Sequence, residues 1–136
     1  MLAKLQSLSP IERRALAPGL ARLLITRLIL LFGIRNASNW LGQEVKETQE
    51  PFHKELWEAR GRAMQRLSSR LPGIACLTQS LALRWWMRAN GLDARMRIGV
   101  RQTEDQLKSH AWVELGRVAI AESKDTIALF RVIESF

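Results

Sequence analysis

The chain is poor in the residues that cross-link or ligate. It has one cysteine and two histidines in 136 residues. A single cysteine excludes an intramolecular disulfide framework and fits a reducing cytosol. With histidines this few and scattered there is no zinc-ligand spacing, so neither a metal nor another cofactor is expected. Met1 to Ser9 lacks the apolar stretch and small-residue cleavage site of a secretory signal. The most apolar segment, Leu20 to Phe32, is interrupted by Arg22 and Arg27. Its unbroken runs fall far short of the roughly 20 residues a membrane span needs. It reads as a buried or partner-facing helix, with peripheral membrane contact the lesser alternative. A cytoplasmic location is expected. No repeat, helix-turn-helix wording, RNA-binding aromatic motif or glycine-rich phosphate loop is visible, which leaves nucleic-acid binding without a motif.

What remains is an ordinary globular composition with an excess of base. The chain is 47% hydrophobic, enough for a core, and carries 21 Lys+Arg against 13 Asp+Glu, a formal charge of +8. That balance favours acidic partners without choosing among them. The length suits one domain with a helical appendage. The expected division is an N-terminal helical region over residues 1–50 and a core domain over residues 51–136.

Ser9-Pro10-Ile11-Glu12 is a capping-box pattern with proline at the first helical position. A helix should start there, kink or break near Ala17 because of Pro18, and continue from about Pro18 to Phe32 with Gly33 as its stop. Asn36 to Glu50 is polar and turn-rich and reads as a connection. His53 to Leu71 has helical spacing, with Leu56, Met64, Leu67 and Leu71 as expected buried positions. Arg62, Arg66 and Arg70 recur at every fourth residue as a basic stripe.

Pro72-Gly73 is a turn signal, and helical apolar spacing begins directly after it. Cys76 therefore falls in the first turn of a helix that runs to about Ala89 and stops at Asn90-Gly91. Free backbone N–H groups and the helix dipole favour a thiolate at that end. The period then changes to two. Ala94, Met96, Ile98 and Val100 alternate with polar residues, a strand pattern. His110 to Leu115 reads as a second strand and Val118 to Ala121 as a third. A lone cysteine in a short chain is usually a small buried hydrophobe. Cysteine on a helix followed by histidine on a strand is, however, the order of papain-like and transglutaminase-like cysteine enzymes.

Such chemistry usually needs a third group to orient the imidazole. Glu114 shares a strand face with His110, but four residues at ~3.3 Å each put it ~13 Å away. Glu122 would oppose His110 if Leu115-Gly116-Arg117 formed a hairpin loop, whereas a one-residue change in that loop would turn it to the other face. Asp125 is the alternative and needs the chain to curl back.

The blocks Cys76-Leu77-Thr78-Gln79-Ser80-Leu81-Ala82-Leu83, Asn90-Gly91, Arg97-Ile98-Gly99-Val100, His110-Ala111-Trp112-Val113-Glu114 and Gly116-Arg117-Val118 together resemble one family. It is the transglutaminase-like cysteine peptidase of lasso-peptide biosynthesis, in its stand-alone protease form. The resemblance covers about Leu71 to Phe136. It implies an α+β fold, Cys76 as nucleophile and His110 as general base and acid. It also implies a separate leader-recognition protein, a lasso precursor peptide as substrate and an ATP-dependent lasso cyclase as partner. The family places an Asp about a dozen residues after the His, where this chain has Glu122. Two other readings compete: a basic, non-enzymatic binding or adaptor protein, and an enzyme of the same fold that transfers the acyl group to an amine.

Overall fold

The computed structural model describes residues 8–45, 52–71 and 75–136. The Pro72-Gly73 turn and the end of the expected connection, from residue 46, lie outside them. Among the described residues the fold is α+β: the long helices pack against one face of a four-stranded antiparallel sheet. The order is α1 (Pro10–Ile29) with a 3-10 turn Leu30–Phe32, α2 (Ile34–Trp40), α3 (Lys54–Ser68), α4 (Cys76–Ala89), β1 (Ala94–Gln102), β2 (Leu107–Leu115), β3 (Val118–Ala119), α5 (Lys124–Ala128) and β4 (Arg131–Ser135). The strands lie in the order β3-β2-β1-β4.

α1 starts as its sequence dictates. Ser9 caps it by accepting from the Glu12 backbone N–H at 3.2 Å, and Pro10 fills the first position. The Glu12 carboxylate does not complete the capping box. It is buried and takes Arg62 Nε at 3.0 Å. The expected break at Pro18 is absent, and α1 runs unbroken to Ile29. Proline removes one i to i−4 bond, but Ala15, Gly19, Leu23 and Thr26 are buried along a single face. That burial holds the turns on either side of the proline in one helix. Gly33, at φ 95°, stops the apolar stretch as expected. The following connection is corrected at its start: residues 34–40 form α2, because Ala37 and Leu41 bury their side chains with Leu81 and Met96.

By length and composition Pro10–Phe32 is long and apolar enough to cross a membrane. Arg22 is half-buried against two tryptophans, however. Its guanidinium lies 5.0 Å from the Trp85 ring and 5.1 Å from that of Trp86. Desolvation there lowers its pKa. Leu24, Leu28, Leu31, Phe32 and Trp40 stay exposed.

Leu23 of α1 shares a core with Trp57, Ala63 and Met64 of α3, Ala82, Leu83, Trp86 and Met87 of α4, and Val113 of β2. In α3, Met64 is buried as expected, but Trp57, Ala59 and Ala63 fill the places expected of Leu56, Leu67 and Leu71, which are only partly buried. Arg62 and Arg66 are exposed on α3, with Arg62 committed to Glu12, while Arg70 falls beyond the helix end. The basic stripe is therefore shorter than the spacing suggests.

α4 spans Cys76–Ala89, with Gly91 at φ 79° just past its end. It lies across β1 and β2, burying Leu81 against Met96 and Ala111. β1 and β2 pair with Gly99 opposite His110 and Ala94 opposite Leu115. β4 adds to the other side of β1 and carries no clear period-two pattern; all its residues are exposed.

Because Leu23 is fully buried at the junction of three helices, Leu23→Ala should cost about 2–5 kcal/mol of folding stability. Urea unfolding with an unchanged m-value checks this. A loss below about 1 kcal/mol would mean that α1 is only loosely attached.

Candidate active site

Cys76 is the first residue of α4. Ala75 precedes it in extended conformation and provides no side-chain cap. The helix-start N–H groups are thus left open toward the cysteine. The thiol is half-buried and packs against the core cluster that holds Leu81, Met96 and Ala111. β2 runs beneath this helix end and brings His110 to it. The Cys76 thiol and the His110 imidazole are close enough to couple, each shifting the pKa of the other.

The other end of the imidazole is held as well. His110 Nε2 lies 2.9 Å from Glu122 Oε1, and both side chains are largely shielded. With Nε2 on the carboxylate, Nδ1 is the nitrogen left for the sulfur. The three groups form a chain in the order thiol, imidazole, carboxylate.

Electrostatics follow from this geometry. Hydrogen bonding to His110 pulls the Cys76 pKa below that of an ordinary thiol, and the Ala111 and Leu77 backbone N–H groups add to the effect against the opposing cost of burial. Hydrogen bonds to Cys76 and Glu122 raise the His110 pKa to about 10, again against desolvation. The two shifts diverge, so a thiolate–imidazolium pair is the stable form between them.

The ring is also clamped sideways. Trp112 stacks on it at 5.9 Å between centroids and 26° between planes, and Phe130 tilts against it at 5.5 Å. Gly99 makes room for this arrangement. A Cβ there would lie 2.8 Å from both Phe130 Cβ and the Trp112 ring. Phe130 gave no signal in the sequence, because it reaches His110 only through the turn of α5 and the start of β4.

The other two acidic candidates are placed elsewhere. Glu114 accepts from Arg97 Nε at 2.9 Å and Trp112 Nε1 at 3.2 Å, so its carboxylate is already committed. Asp125 is exposed in the first turn of α5, where Ser123 caps its backbone N–H.

The route by which Glu122 reaches His110 differs from the expected one. The hairpin turn is two residues, Gly116-Arg117, with Leu115 opposite Val118 and Glu114 opposite Ala119. Extended straight, that register would put Glu122 opposite Ala111 and on the wrong face. The strand instead ends, and Ala121 takes a left-handed conformation at φ 56°. That turn returns Glu122 to the histidine.

A family model of the transglutaminase-like superfamily matches residues 20–135, and the chain belongs to that superfamily. No curated protein and no solved structure matches the chain.

The ion pair has a pH signature. Alkylation of Cys76 by iodoacetamide should reach half its maximal rate at a pH below that of a free thiol, because the folded thiol's pKa is lowered. His110→Ala removes the main cause, so the midpoint should move up. Glu122→Gln removes the charge that supports the imidazolium, so the His110 ring protons should titrate at lower pH by NMR. Midpoints unchanged in both variants would show that the three side chains are not electrostatically coupled.

Proposed function

We propose that this member of the transglutaminase-like superfamily is a cysteine peptidase that removes the leader from a lasso-peptide precursor, working with a separate leader-recognition protein. The observation that carries the reading is the thiol–imidazole–carboxylate chain built from Cys76, His110 and Glu122. It occurs together with the sequence blocks around the cysteine and the histidine that resemble that peptidase.

In this reading each residue has one task. The Cys76 thiolate attacks the carbonyl carbon of the bond joining leader and core, forming an S–C bond. Collapse of the tetrahedral intermediate breaks the C–N bond, and His110 gives its proton to the departing core amine. His110 then takes a proton from water, whose oxygen attacks the thioester and releases the leader as a carboxylic acid. Glu122 keeps the imidazole oriented and stabilises its protonated form through both steps. Glutamate stands where the family has aspartate.

The freed core amine is the nucleophile that an ATP-dependent lasso cyclase would use next. The exposed apolar residues Leu24, Leu28, Leu31, Phe32 and Trp40 offer partner proteins a surface. Without the leader-recognition protein, cleavage by the isolated chain should be poor.

Incubation with a candidate precursor peptide, with and without the leader-recognition protein, tests the proposal. Cys76→Ala should abolish cleavage without unfolding, and His110→Ala should slow it about 10²–10⁴-fold. Cleavage retained by folded Cys76→Ala would sink the peptidase reading.

A further inference from the structure

Among the described residues, Ala121 alone combines a side chain with a positive φ. A left-handed alanine costs about 1–2 kcal/mol, so something must hold it there. Helix α3 does so from both ends of the residue. The Ala121 backbone N–H donates to Glu58 Oε2 at 2.7 Å, and its carbonyl accepts from Gln65 Nε2 at 2.8 Å. Glu58 and Gln65 are two helical turns apart and share one face of α3.

Gly61 sits between them on the same face. A Cβ built there would lie 2.7 Å from the Ala121 Cβ and 3.7 Å from Ile120 Cγ2. The helix backbone thus approaches the strand end as closely as two chains can. The last ladder bond before the turn runs from Ile120 N–H to the Val113 carbonyl at 2.9 Å. Beyond it, the peptides around Ala121 are bonded to α3 and not to β2.

We infer that Glu58, Gly61 and Gln65 are positioning residues, which lock the left-handed turn at Ala121 and so deliver Glu122 to His110. α3 thereby belongs to the site although none of its side chains touches the cysteine or the histidine. The arrangement also accounts for the two-residue hairpin coexisting with a carboxylate on the histidine's face: the turn at Ala121 corrects the face that the hairpin register would otherwise impose. The inference rests on the catalytic reading only in giving Glu122 a task. The geometry it concerns is independent of substrate.

The test pairs a disruption with its relief. Gly61→Ala adds the clashing Cβ, and Ala121→Gly removes the atom it meets while accepting φ 56° without strain. In Gly61→Ala the His110 pKa, read from ring-proton NMR, should fall by about 1–3 pH units, the size of a lost contact with an opposite charge. The double variant Gly61→Ala/Ala121→Gly should recover most of it. Gln65→Leu, at a partly exposed position, should lower the His110 pKa in the same direction and serves if Gly61→Ala fails to fold. Glu58→Gln retains an acceptor oxygen and should stay near wild type, whereas Glu58→Ala should not. In a Glu122→Gln background none of these changes should move the His110 pKa further. A folded Gly61→Ala or Gln65→Leu protein with an unmoved His110 pKa overturns the inference. So does an equal drop in the Glu122→Gln background. Because the readout needs no peptide, failure of leader cleavage with these shifts intact would count against the peptidase reading alone.

Discussion

The site depends on one hydrogen bond, from the His110 ring to Glu122 at 2.9 Å. An imidazole with one nitrogen on a carboxylate is fixed in rotation and held basic at the other. Only then can it draw the proton from a thiol and keep the resulting charge. The two partners are far enough apart in sequence that no local rule brings them together. A strand, a tight turn, a ladder of two residues and a left-handed alanine all have to agree. Much of the fold can be understood as what keeps that agreement. β1 pairs along the whole of β2, Trp112 and Phe130 confine the ring, and α3 holds the turn.

The cysteine side is simpler. α4 needs no special backbone to place its first residue. The helix is anchored by Leu81, Leu83, Trp86 and Met87 in the core. Arg84 anchors it further by donating to the Leu41 carbonyl at 2.7 Å and the Phe136 carbonyl at 3.2 Å. Burial lowers the pKa of that guanidinium to about 10, and the two carbonyls supply part of the solvation it loses. One helix thus links the end of α2, the end of the chain's last strand and the nucleophile.

How much could be read from the sequence follows from the range of each interaction. The start and stop of α4 were legible because proline, glycine and asparagine act locally. β1 was legible from its alternating pattern and β2 in part, from His110 to Leu115, though its start at Leu107 lies in what read as a polar loop from Gln102 to Lys108; Cys76 and His110 stand on α4 and β2. The persistence of α1 through Pro18 was not, since it is decided by burial against α3 and α4. The hairpin turn was read one residue too long. Glu122 nevertheless reaches the histidine, because a second irregularity offsets the first. Alanine carries no signal for a positive φ, and its stabilisers, Glu58 and Gln65, lie more than 50 residues upstream. β4 was missed for a related reason: an exposed edge strand has no buried face to impose a period.

The central claim is that Cys76 carries the acyl group of a leader peptide. Acid quenching of the protein with a lasso precursor and its leader-recognition partner, followed by intact-mass and peptide-mapping analysis, addresses it most directly. The account predicts a species heavier than the protein by the leader's mass less one water, mapped to Cys76 as a thioester and discharged by hydroxylamine. Precursor turnover with no adduct on Cys76 in a Glu122→Gln protein, where deacylation is slowed, together with an adduct on any other residue, would contradict it.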